Sequence, residues 1–417
     1  MEYFAVKGGC PLEGTLAVHG AKNSALPILA ATLLARGESV IHNCPDLTDT
    51  NAALDILSSL GCRVKRDGRT VTVDTADRTG TAVPDALMGQ MRASVLFLGS
   101  LLAQGGEAAA SWPGGCALGP RPIDLHLRAF QALGVEVRGQ EERLVCQAKR
   151  LRGSRLALPF PSVGVTENAM LAACGADGVT VIDNAAREPE ILDLQGFLRE
   201  LGADVQGAGT EQIVIRGGKP LHPGDYTVMA DRIVTATYLC AVAAAGGEGE
   251  FLGSDGSSLR PVLAALRRAG CRVDQEPDRV CIRQRGVVAG IGSVTTAPYP
   301  GFPTDAQPLL AAALAGGRGE TRIEETIFDQ RFRYVEGLRR MGARIRVEGT
   351  TAWIAGTKLR GADLEATDLR GGAALTIAAL SAEGESEIRS PSHIDRGYER
   401  LEDAFQALGG RIRRRNR

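Results

Sequence analysis

The sequence has no excess of charge of either sign. Its 48 lysine and arginine residues nearly cancel its 49 aspartate and glutamate residues, which argues against a general nucleic-acid binder or a polybasic membrane protein. The N-terminus has no basic segment followed by an apolar stretch, so we expect no secretion signal. The longest apolar run, residues 233–245, is shorter than the ~18 residues that suggest a membrane span. We therefore expect a soluble intracellular protein.

The nine cysteines contain no C-x-x-C pair, and their number is odd and their spacing irregular. This argues for reduced thiols in a cytosol and against a disulfide framework or a zinc site. A hydrophobic share of 44% and a charged share of 23% are typical of a chain that buries a core, which excludes disorder and collagen. Glycine is abundant, at 52 of 417 residues, and predicts many tight turns between short elements.

An internal repeat runs through the whole chain. An apolar residue, a glycine, two variable residues and then Val or Ile recur six times, with the glycines at 61, 134, 202, 270, 342 and 409. Each copy follows an amphipathic helix pattern, such as Leu194, Phe197, Leu198 and Leu201, and precedes an alternating stretch that predicts a strand. We interpret the glycine as the residue that ends the helix. The spacing of the glycines divides the whole chain into six units of about 70 residues.

A second kind of helix recurs once in each unit and is apolar almost all round. Its six copies are predicted at residues 25–35, 94–103, 168–176, 233–245, 309–315 and 373–382. A helix without a polar face must be buried on every side. We therefore predict an α/β protein of two pseudo-symmetric domains, each with three units, buried helices at the centre and sheets outside. The alternative is an open solenoid, but the sequence shows no distinct polar capping repeats.

Positively charged residues stand at the start of four buried helices and just ahead of four amphipathic ones: Lys22, Arg92, Arg232 and Arg370, and Arg121, Arg187, Arg331 and Arg396. A cation at a helix N-terminus is slightly unfavourable by itself, so eight such placements indicate that anions bind there. If two lobes face each other across a cleft, these groups would line it. The alternative is local pairing, because Glu188, Asp329 and Asp395 stand beside or near three of the arginines.

Two further features point to chemistry. Residues 111–122 contain three glycines and three prolines, which predicts a surface loop, and Cys116 lies in it five residues before Arg121. The cation would make the thiol reactive and the loop could act as a lid, although a loop cysteine can equally be incidental. Asp305 stands at the start of the fifth buried helix. It could be a general base or a helix N-cap, and its spacing does not separate the two.

Seven motifs, in collinear order along the full length, carry a family resemblance. They are Gly-Ala-Lys-Asn at 20–23, Met-Arg-Ala-Ser at 91–94, the loop at 113–121, and the segments 185–190, 302–305, 367–370 and 393–400. With these motifs the chain closely resembles the bacterial UDP-N-acetylglucosamine enolpyruvyl transferases. The resemblance implies a pair of inside-out α/β barrels, each a threefold repeat. One lobe would contain residues 22–229 with the Cys116 loop, and the other residues 1–21 and 230–417.

The resemblance also implies the reaction. The enolpyruvyl group of phosphoenolpyruvate would be transferred to the 3′-hydroxyl of UDP-N-acetylglucosamine, with release of phosphate through a tetrahedral addition–elimination intermediate. This is the first committed step of peptidoglycan synthesis, in the cytoplasm. The implied partners are these two small-molecule substrates, with no nucleic acid and no membrane insertion. The family needs no metal and no organic cofactor.

Individual roles follow from the same resemblance. Lys22, Arg121 and Arg396 would hold the phosphoenolpyruvate phosphate, Arg331 and Arg370 its carboxylate, and Asn23 would contact both substrates and orient the sugar. Cys116 would protonate the methylene carbon and Asp305 would take the proton of the sugar hydroxyl, so Cys116, Asp305, Lys22 and Arg396 are the expected catalytic residues. The other expected UDP-sugar contacts are Arg92, Arg121, Pro122, Ile123, Asp124, Leu125, Ser162, Val163, Gly164, Asp305 and Ile327.

Some positions depart from the commonest pattern of the family. Phe160 stands where many relatives have lysine near the nucleotide, so we expect no charge contact there, and Asp329-Gln330 replaces a frequent Glu-Asn. The retained Cys116 predicts alkylation by the epoxide antibiotic fosfomycin. Two alternatives are the shikimate-pathway enolpyruvyl transferase, whose family lacks the cysteine loop and the Gly-Ala-Lys-Asn start, and a non-catalytic regulator that binds UDP-sugars.

Overall fold

The structure is a computed structural model that describes residues 2–112, 122–140 and 143–416. These residues divide into two compact units. Residues 2–19 and 230–416 form the C-terminal unit, which therefore takes in the first strands of the chain. The described residues from 20 to 229 form the N-terminal unit.

The strands of the described residues are short. They are β1 (Glu2–Lys7), β2 (Leu12–Ala17), β3 (Glu38–His42), β4 (Arg63–Asp67), β5 (Thr70–Asp74), β6 (Glu107–Ser111), β7 (Glu136–Gln140), β8 (Arg143–Gln147), β9 (Arg155–Ala157), β10 (Gly178–Asp183), β11 (Asp204–Gln206), β12 (Gln212–Gly217), β13 (Asp225–Thr227), β14 (Gly247–Leu252), β15 (Arg272–Glu276), β16 (Arg279–Gln284), β17 (Gly292–Thr295), β18 (Glu320–Glu324), β19 (Arg344–Glu348), β20 (Thr351–Ala355), β21 (Asp363–Glu365), β22 (Glu385–Arg389) and β23 (Arg411–Asn416).

Helices alternate with these strands. The α-helices are α1 (Lys22–Ala31), α2 (Thr48–Ser59), α3 (Asp85–Met88), α4 (Leu96–Gly105), α5 (Asp124–Ala132), α6 (Val163–Cys174), α7 (Pro189–Glu200), α8 (Arg232–Ala245), α9 (Arg260–Arg268), α10 (Gln307–Ala315), α11 (Val335–Arg340), α12 (Leu369–Ser381) and α13 (Leu401–Ala407). Short 3₁₀ helices cover Thr32–Leu34, Arg92–Val95, Gly256–Leu259, Thr304–Ala306, Arg331–Tyr334 and Pro391–His393. Among the described residues, no helix is both long and apolar enough to cross a bilayer.

All six sheets of the described residues share one strand arrangement. The N-terminal unit has the orders β13-β3-β5-β4, β11-β12-β10-β9 and β6-β8-β7, and the C-terminal unit has β15-β16-β14-β2, β17-β18-β20-β19 and β21-β22-β1-β23. In β3, for example, Val40 pairs with Asp225 of a parallel neighbour and with Thr72 of an antiparallel one. In the three-stranded sheet the parallel neighbour is reduced to a bridge between Ala82 and Ala109. The predicted sixfold repeat and the α/β fold class are confirmed.

Three buried helices form the centre of each unit. In the C-terminal unit α8, α10 and α12 contact one another, and in the N-terminal unit α1, α4 and α6 do. Their apolar side chains belong to one hydrophobic core per unit. The prediction of helices that are buried all round is confirmed, but α6 and α12 begin five and four residues earlier than expected. Their first turns contain Gly164, Arg370 and Gly371, which obscure the apolar pattern in the sequence.

The repeated glycine ends an amphipathic helix in every unit. Gly61, Gly134, Gly202, Gly270, Gly342 and Gly409 have φ angles between 83° and 96°. This left-handed conformation is strained for a residue with a Cβ atom. Glycine at this position therefore stops α2, α5, α7, α9, α11 and α13 and turns the chain into the next strand.

Candidate functional site

Four of the predicted cations stand at helix starts. Lys22 and Arg232 are the first residues of α1 and α8, and Arg370 is the second residue of α12. Arg92 opens the 3₁₀ helix that runs directly into α4. Backbone N–H groups and the helix dipole favour negative charge at this end of a helix. Side-chain cations added there reinforce that preference for anions.

Asp305 and two arginines form an ion-pair cluster in the C-terminal unit. Arg331 Nη2 lies 2.7 Å from Asp305 Oδ1, and Arg370 Nε lies 3.2 Å from Asp305 Oδ2. Arg331 also donates from Nε and Nη2 to the carbonyl oxygen of Thr304, at 3.1 and 2.9 Å. Both arginine side chains are 2% exposed and that of Asp305 is 29% exposed. The N-cap of α10 is Ala306, so Asp305 is not that helix's N-cap residue.

Arg370 has two further donors. Its Nη1 and Nη2 atoms are buried, and no described residue accepts a hydrogen bond from them. Burial lowers the pKa of Arg370, but Tyr398, Asp305 and Asp231 together raise it, so the guanidinium stays charged. Two buried N–H groups on one planar fork match the two oxygens of a carboxylate. Arg396 is half-buried and stands two residues before Tyr398, whose ring centre lies 5.2 Å from Arg370 Cζ.

The alternative of local pairing does not describe Arg331. Arg331 pairs with Asp305, which is 26 residues away in the sequence, and not with the nearby Asp329. The Asp395 carboxylate is bound by both Nη atoms of Arg414, at 2.9 and 2.5 Å. The partners of Arg331 and Asp395 are therefore brought to them by the fold.

Lys22 lies in the N-terminal unit and forms a largely buried ion pair. Its Nζ lies 3.0 Å from Asp49 Oδ2, and the two side chains are 11% and 6% exposed. Asp49 belongs to the first turn of α2, so the pair joins the starts of two helices. Asn23 follows in the first turn of α1 and is half-buried.

A half-buried carboxylate that we did not expect from the sequence binds the first turn of α1. Asp193 accepts hydrogen bonds from Ser24 Oγ, from Tyr226 Oη at 2.8 Å and from the Met229 amide at 3.1 Å. Burial raises the pKa of Asp193, although these three donors lower it in part. In the sequence Asp193 is one acidic residue of an amphipathic helix, and no local signal marks it.

The segments expected at the UDP-sugar also lie in the N-terminal unit. Arg92 Nη2 donates to the carbonyl oxygen of Pro122 at 2.8 Å. Ile123 is the N-cap residue of α5, whose first turn contains Asp124 and Leu125. The structure thus brings Arg92 against the chain that leads into α5.

The start of α6 lies beside α5. Ser162 is the N-cap residue of α6, followed by Val163 and Gly164. A Cβ atom on Gly164 would lie 3.4 Å from Cε1 of His126, which belongs to α5. His126 Nδ1 lies 3.0 Å from Nδ2 of Asn168 in α6. The contact places segments 122–125 and 162–164 in one region of the N-terminal unit.

Three expected site residues remain. Cys116 and Arg121 lie outside the described residues. Ile327 is half-buried, stands four residues before Arg331, and donates its amide N–H to Glu325 Oε1 at 2.8 Å. The eight cysteines within the described ranges form no disulfide. Burial raises the pKa of several, to about 11 for Cys62 and about 12 for Cys174, which keeps these thiols protonated at neutral pH.

Glu167 is a second acid that we did not expect from the sequence. It lies in α6, one turn after Gly164, is 4% exposed, and its Oε1 accepts no hydrogen bond from any described residue. Burial raises its pKa well above the ordinary value, and Glu190 and Glu188 raise it further. A protonated carboxyl group avoids an uncompensated buried charge.

We expect Glu167→Gln to stabilise the protein relative to wild type increasingly as the pH rises from about 5 to 8. The folded pKa of Glu167 lies above its unfolded value of roughly 4.3. The favourable contribution of the acid is therefore complete below that value and is lost as the pH rises through the folded pKa. Melting temperatures of both proteins over this pH range test it. The exposed Glu211→Gln is the control, and parallel curves for Glu167→Gln and wild type would contradict the expectation.

Known proteins are similar to this chain over nearly its full length. The family model of EPSP synthase (3-phosphoshikimate 1-carboxyvinyltransferase) matches residues 6–405. UDP-N-acetylglucosamine 1-carboxyvinyltransferase 2 of Caldanaerobacter subterraneus subsp. tengcongensis is 48% identical over 413 residues, 99% of each chain. UDP-N-acetylglucosamine 1-carboxyvinyltransferase of Finegoldia magna is 44% identical over 419 residues, again 99% of each chain.

Solved structures are similar over the full length. The enolpyruvyl transferase NikO from Streptomyces tendae gives a TM-score of 0.90 at 29% identity, covering 99% of this chain and 98% of that one. EPSP synthase from Acinetobacter baumannii gives a TM-score of 0.78 at 20% identity, covering 100% of both chains. The second similarity concerns the fold alone.

Proposed function

The chain belongs to the EPSP synthase family and, within it, to the UDP-N-acetylglucosamine 1-carboxyvinyltransferases, and we propose that it catalyses the reaction that this name describes. It transfers the enolpyruvyl group of phosphoenolpyruvate to the 3′-hydroxyl of UDP-N-acetylglucosamine and releases phosphate. The product commits the nucleotide sugar to peptidoglycan synthesis.

The Asp305–Arg331–Arg370 cluster is the observation in the structure that carries this proposal. A carboxylate that accepts from two buried arginines can still accept a proton, because its two oxygens offer about four acceptor sites. The Nη1 and Nη2 atoms of Arg370 are donors of the right number and spacing for the carboxylate of phosphoenolpyruvate. The same cluster therefore combines a base with an anion-binding fork.

The chemistry is an addition followed by an elimination. The sugar hydroxyl adds to C2 of phosphoenolpyruvate and loses its proton to Asp305, while C3 gains a proton from Cys116, the family's general acid. The tetrahedral intermediate then loses phosphate from C2 and a proton from C3, which restores the double bond. Clustered cations stabilise the negative charge throughout. Oxidation state is unchanged overall, and no redox partner is required.

The remaining roles rest on the family resemblance. We assign Lys22, Arg121 and Arg396 to the phosphate of phosphoenolpyruvate, and Asn23 to the sugar. The UDP-sugar contacts are Arg92, Pro122, Ile123, Asp124, Leu125, Ser162, Val163, Gly164 and Ile327. The contact of α5 with α6 through His126 and Gly164 supports a shared role for the two nucleotide segments.

The cytoplasm is the proposed compartment. None of the eight cysteines of the described residues forms a disulfide, as expected in a reducing compartment. A nucleotide sugar and phosphoenolpyruvate are both metabolites of the cell interior.

Phosphate release separates this proposal from its two alternatives. With phosphoenolpyruvate present, UDP-N-acetylglucosamine should elicit stoichiometric phosphate, and shikimate 3-phosphate should elicit none. Release with shikimate 3-phosphate would indicate the shikimate-pathway enzyme, which is less supported because the full-length curated relatives at 43–48% identity carry the UDP-sugar name. Binding of the UDP-sugar without phosphate release would indicate a regulator.

A further inference from the structure

Glu325 is a buried carboxylate directly after β18. It is 2% exposed, and no lysine or arginine of the described residues forms an ion pair with it. Its backbone N–H donates to the Thr350 carbonyl oxygen at 2.8 Å, which anchors the residue on the turn between β19 and β20. Burying a carboxylate costs several kcal/mol unless hydrogen bonds compensate it. Its hydrogen bonds are therefore the reason that it can be there.

Four hydrogen bonds compensate the Glu325 carboxylate. Oε1 accepts from Thr296 Oγ1 at 3.0 Å, from the Ile327 amide at 2.8 Å and from the Phe328 amide at 3.2 Å. Oε2 accepts from Thr304 Oγ1 at 3.0 Å. The two oxygens thus bind three segments of the chain, at Thr296, at Thr304 and at the turn of Ile327 and Phe328.

The segments at Thr304 and at Ile327 and Phe328 adjoin residues of the candidate site. Thr304 directly precedes Asp305, and its carbonyl oxygen receives two hydrogen bonds from Arg331. Ile327 and Phe328 belong to the turn that leads into Arg331, and the Phe328 ring centre lies 5.7 Å from Arg331 Cζ. Glu325 therefore holds the segment before Asp305 and the segment before Arg331 on one carboxyl group.

We propose that Glu325 is a positioning residue for the reaction, which fixes Asp305 and Arg331 in their mutual geometry while touching no substrate. This rests on the function proposed above. A general base must lie within hydrogen-bond reach of its proton, and displacement of such a group by about 1 Å can cost roughly 100-fold in rate. Of the four hydrogen bonds, the one from Thr304 Oγ1 acts most directly on Asp305, because Thr304 is the preceding residue.

Thr304→Val tests the inference because it removes the hydroxyl and keeps the shape and charge of the site. We expect kcat at saturating substrates to fall roughly 10- to 100-fold. Thr321→Val is the control: Thr321 is buried in the C-terminal unit, whereas Thr304 is half-buried, and its hydroxyl accepts from the Ile291 amide at 3.0 Å, away from the cluster. We expect its kcat to stay within about 2-fold of wild type, while both variants lose similar melting temperature.

Two variants of Glu325 test whether a conservative replacement retains the kcat that alanine loses. Glu325→Gln retains an amide oxygen for the Ile327 and Phe328 amides and can donate to Thr304 Oγ1, so it should keep most of kcat. Glu325→Ala should lose at least as much kcat as Thr304→Val. If wild type turns over and Thr304→Val matches Thr321→Val in kcat, the inference is overturned while the proposed function stands. If wild type releases no phosphate with UDP-N-acetylglucosamine, both are overturned.

Discussion

Asp305→Asn should lower kcat roughly 100- to 10,000-fold, the range that a positioned general base contributes. The asparagine side chain keeps the size of the aspartate but cannot accept the proton of the sugar hydroxyl. One of its two polar ends is also a donor, which would face Arg331 or Arg370 where the carboxylate now accepts. The measurement is steady-state phosphate release at saturating concentrations of both substrates.

The division of the effect between kcat and KM separates a base from a counter-ion. If Asp305 served only to neutralise the two arginines, Asp305→Asn would lower the melting temperature and change the KM for phosphoenolpyruvate, with kcat near wild type. The base role predicts the loss in kcat itself. Asp274→Asn is the control, since Asp274 is an exposed acid in the same unit that pairs with Arg272 at 3.2 Å.

The fold could be predicted from the sequence because the helix patterns that reveal it involve residues close together in the chain. The glycine that ends each amphipathic helix is repeated six times, and each copy has the positive φ that the position requires. The helices with no polar face are the ones at the centre of each unit. Periodicity of this kind depends on residues three or four positions apart. The periodicity placed the starts of α6 and α12 five and four residues too late, because glycine and arginine break the apolar pattern there.

The contacts of the candidate site could not be predicted in the same way. Lys22 and Asp49 are 27 residues apart, and Arg370 and Asp305 are 65 residues apart. A sequence indicates that a cation stands at a helix start, but the partner depends on which loops the fold brings together. The alternative that Arg331 pairs with the nearby Asp329 does not hold for this reason. Glu325 could not be identified from the sequence, because a single glutamate after a strand has the same local pattern as an exposed acidic residue.

The energetic cost of burying Arg370 and Asp305 indicates that this ion pair in the C-terminal unit has a role in binding and not only in stability. A buried ion pair contributes little net stability, since desolvation offsets the attraction. The Nη1 and Nη2 atoms of Arg370 have no acceptors among the described residues, and burying such donors costs additional free energy of folding. A protein optimised only for stability would not retain this arrangement, whereas binding of an anionic substrate would compensate it.

Arg370→Lys should therefore lower kcat/KM for phosphoenolpyruvate by roughly 30- to 1,000-fold, which corresponds to about 2–4 kcal/mol. Lysine keeps the positive charge and can still pair with Asp305. It cannot supply two parallel N–H donors to a carboxylate in addition, because its ammonium is a single point charge. Most of the change should be in the KM for phosphoenolpyruvate, with the affinity for the UDP-sugar measured by calorimetry nearly unchanged.

Arg370→Lys tests the geometry of the guanidinium group, because the substitution keeps the positive charge. Arg322→Lys makes the same change on β18, where Arg322 is 45% exposed and pairs with Glu324 at 3.1 Å, and it should leave kcat/KM within about 2-fold of wild type. If Arg370→Lys behaved like this control, the Nη1 and Nη2 atoms would have no part in substrate binding. Equal losses of affinity for both substrates would instead indicate that the C-terminal unit had rearranged. A selective loss of phosphoenolpyruvate affinity is expected only if the buried fork of Arg370 receives its carboxylate.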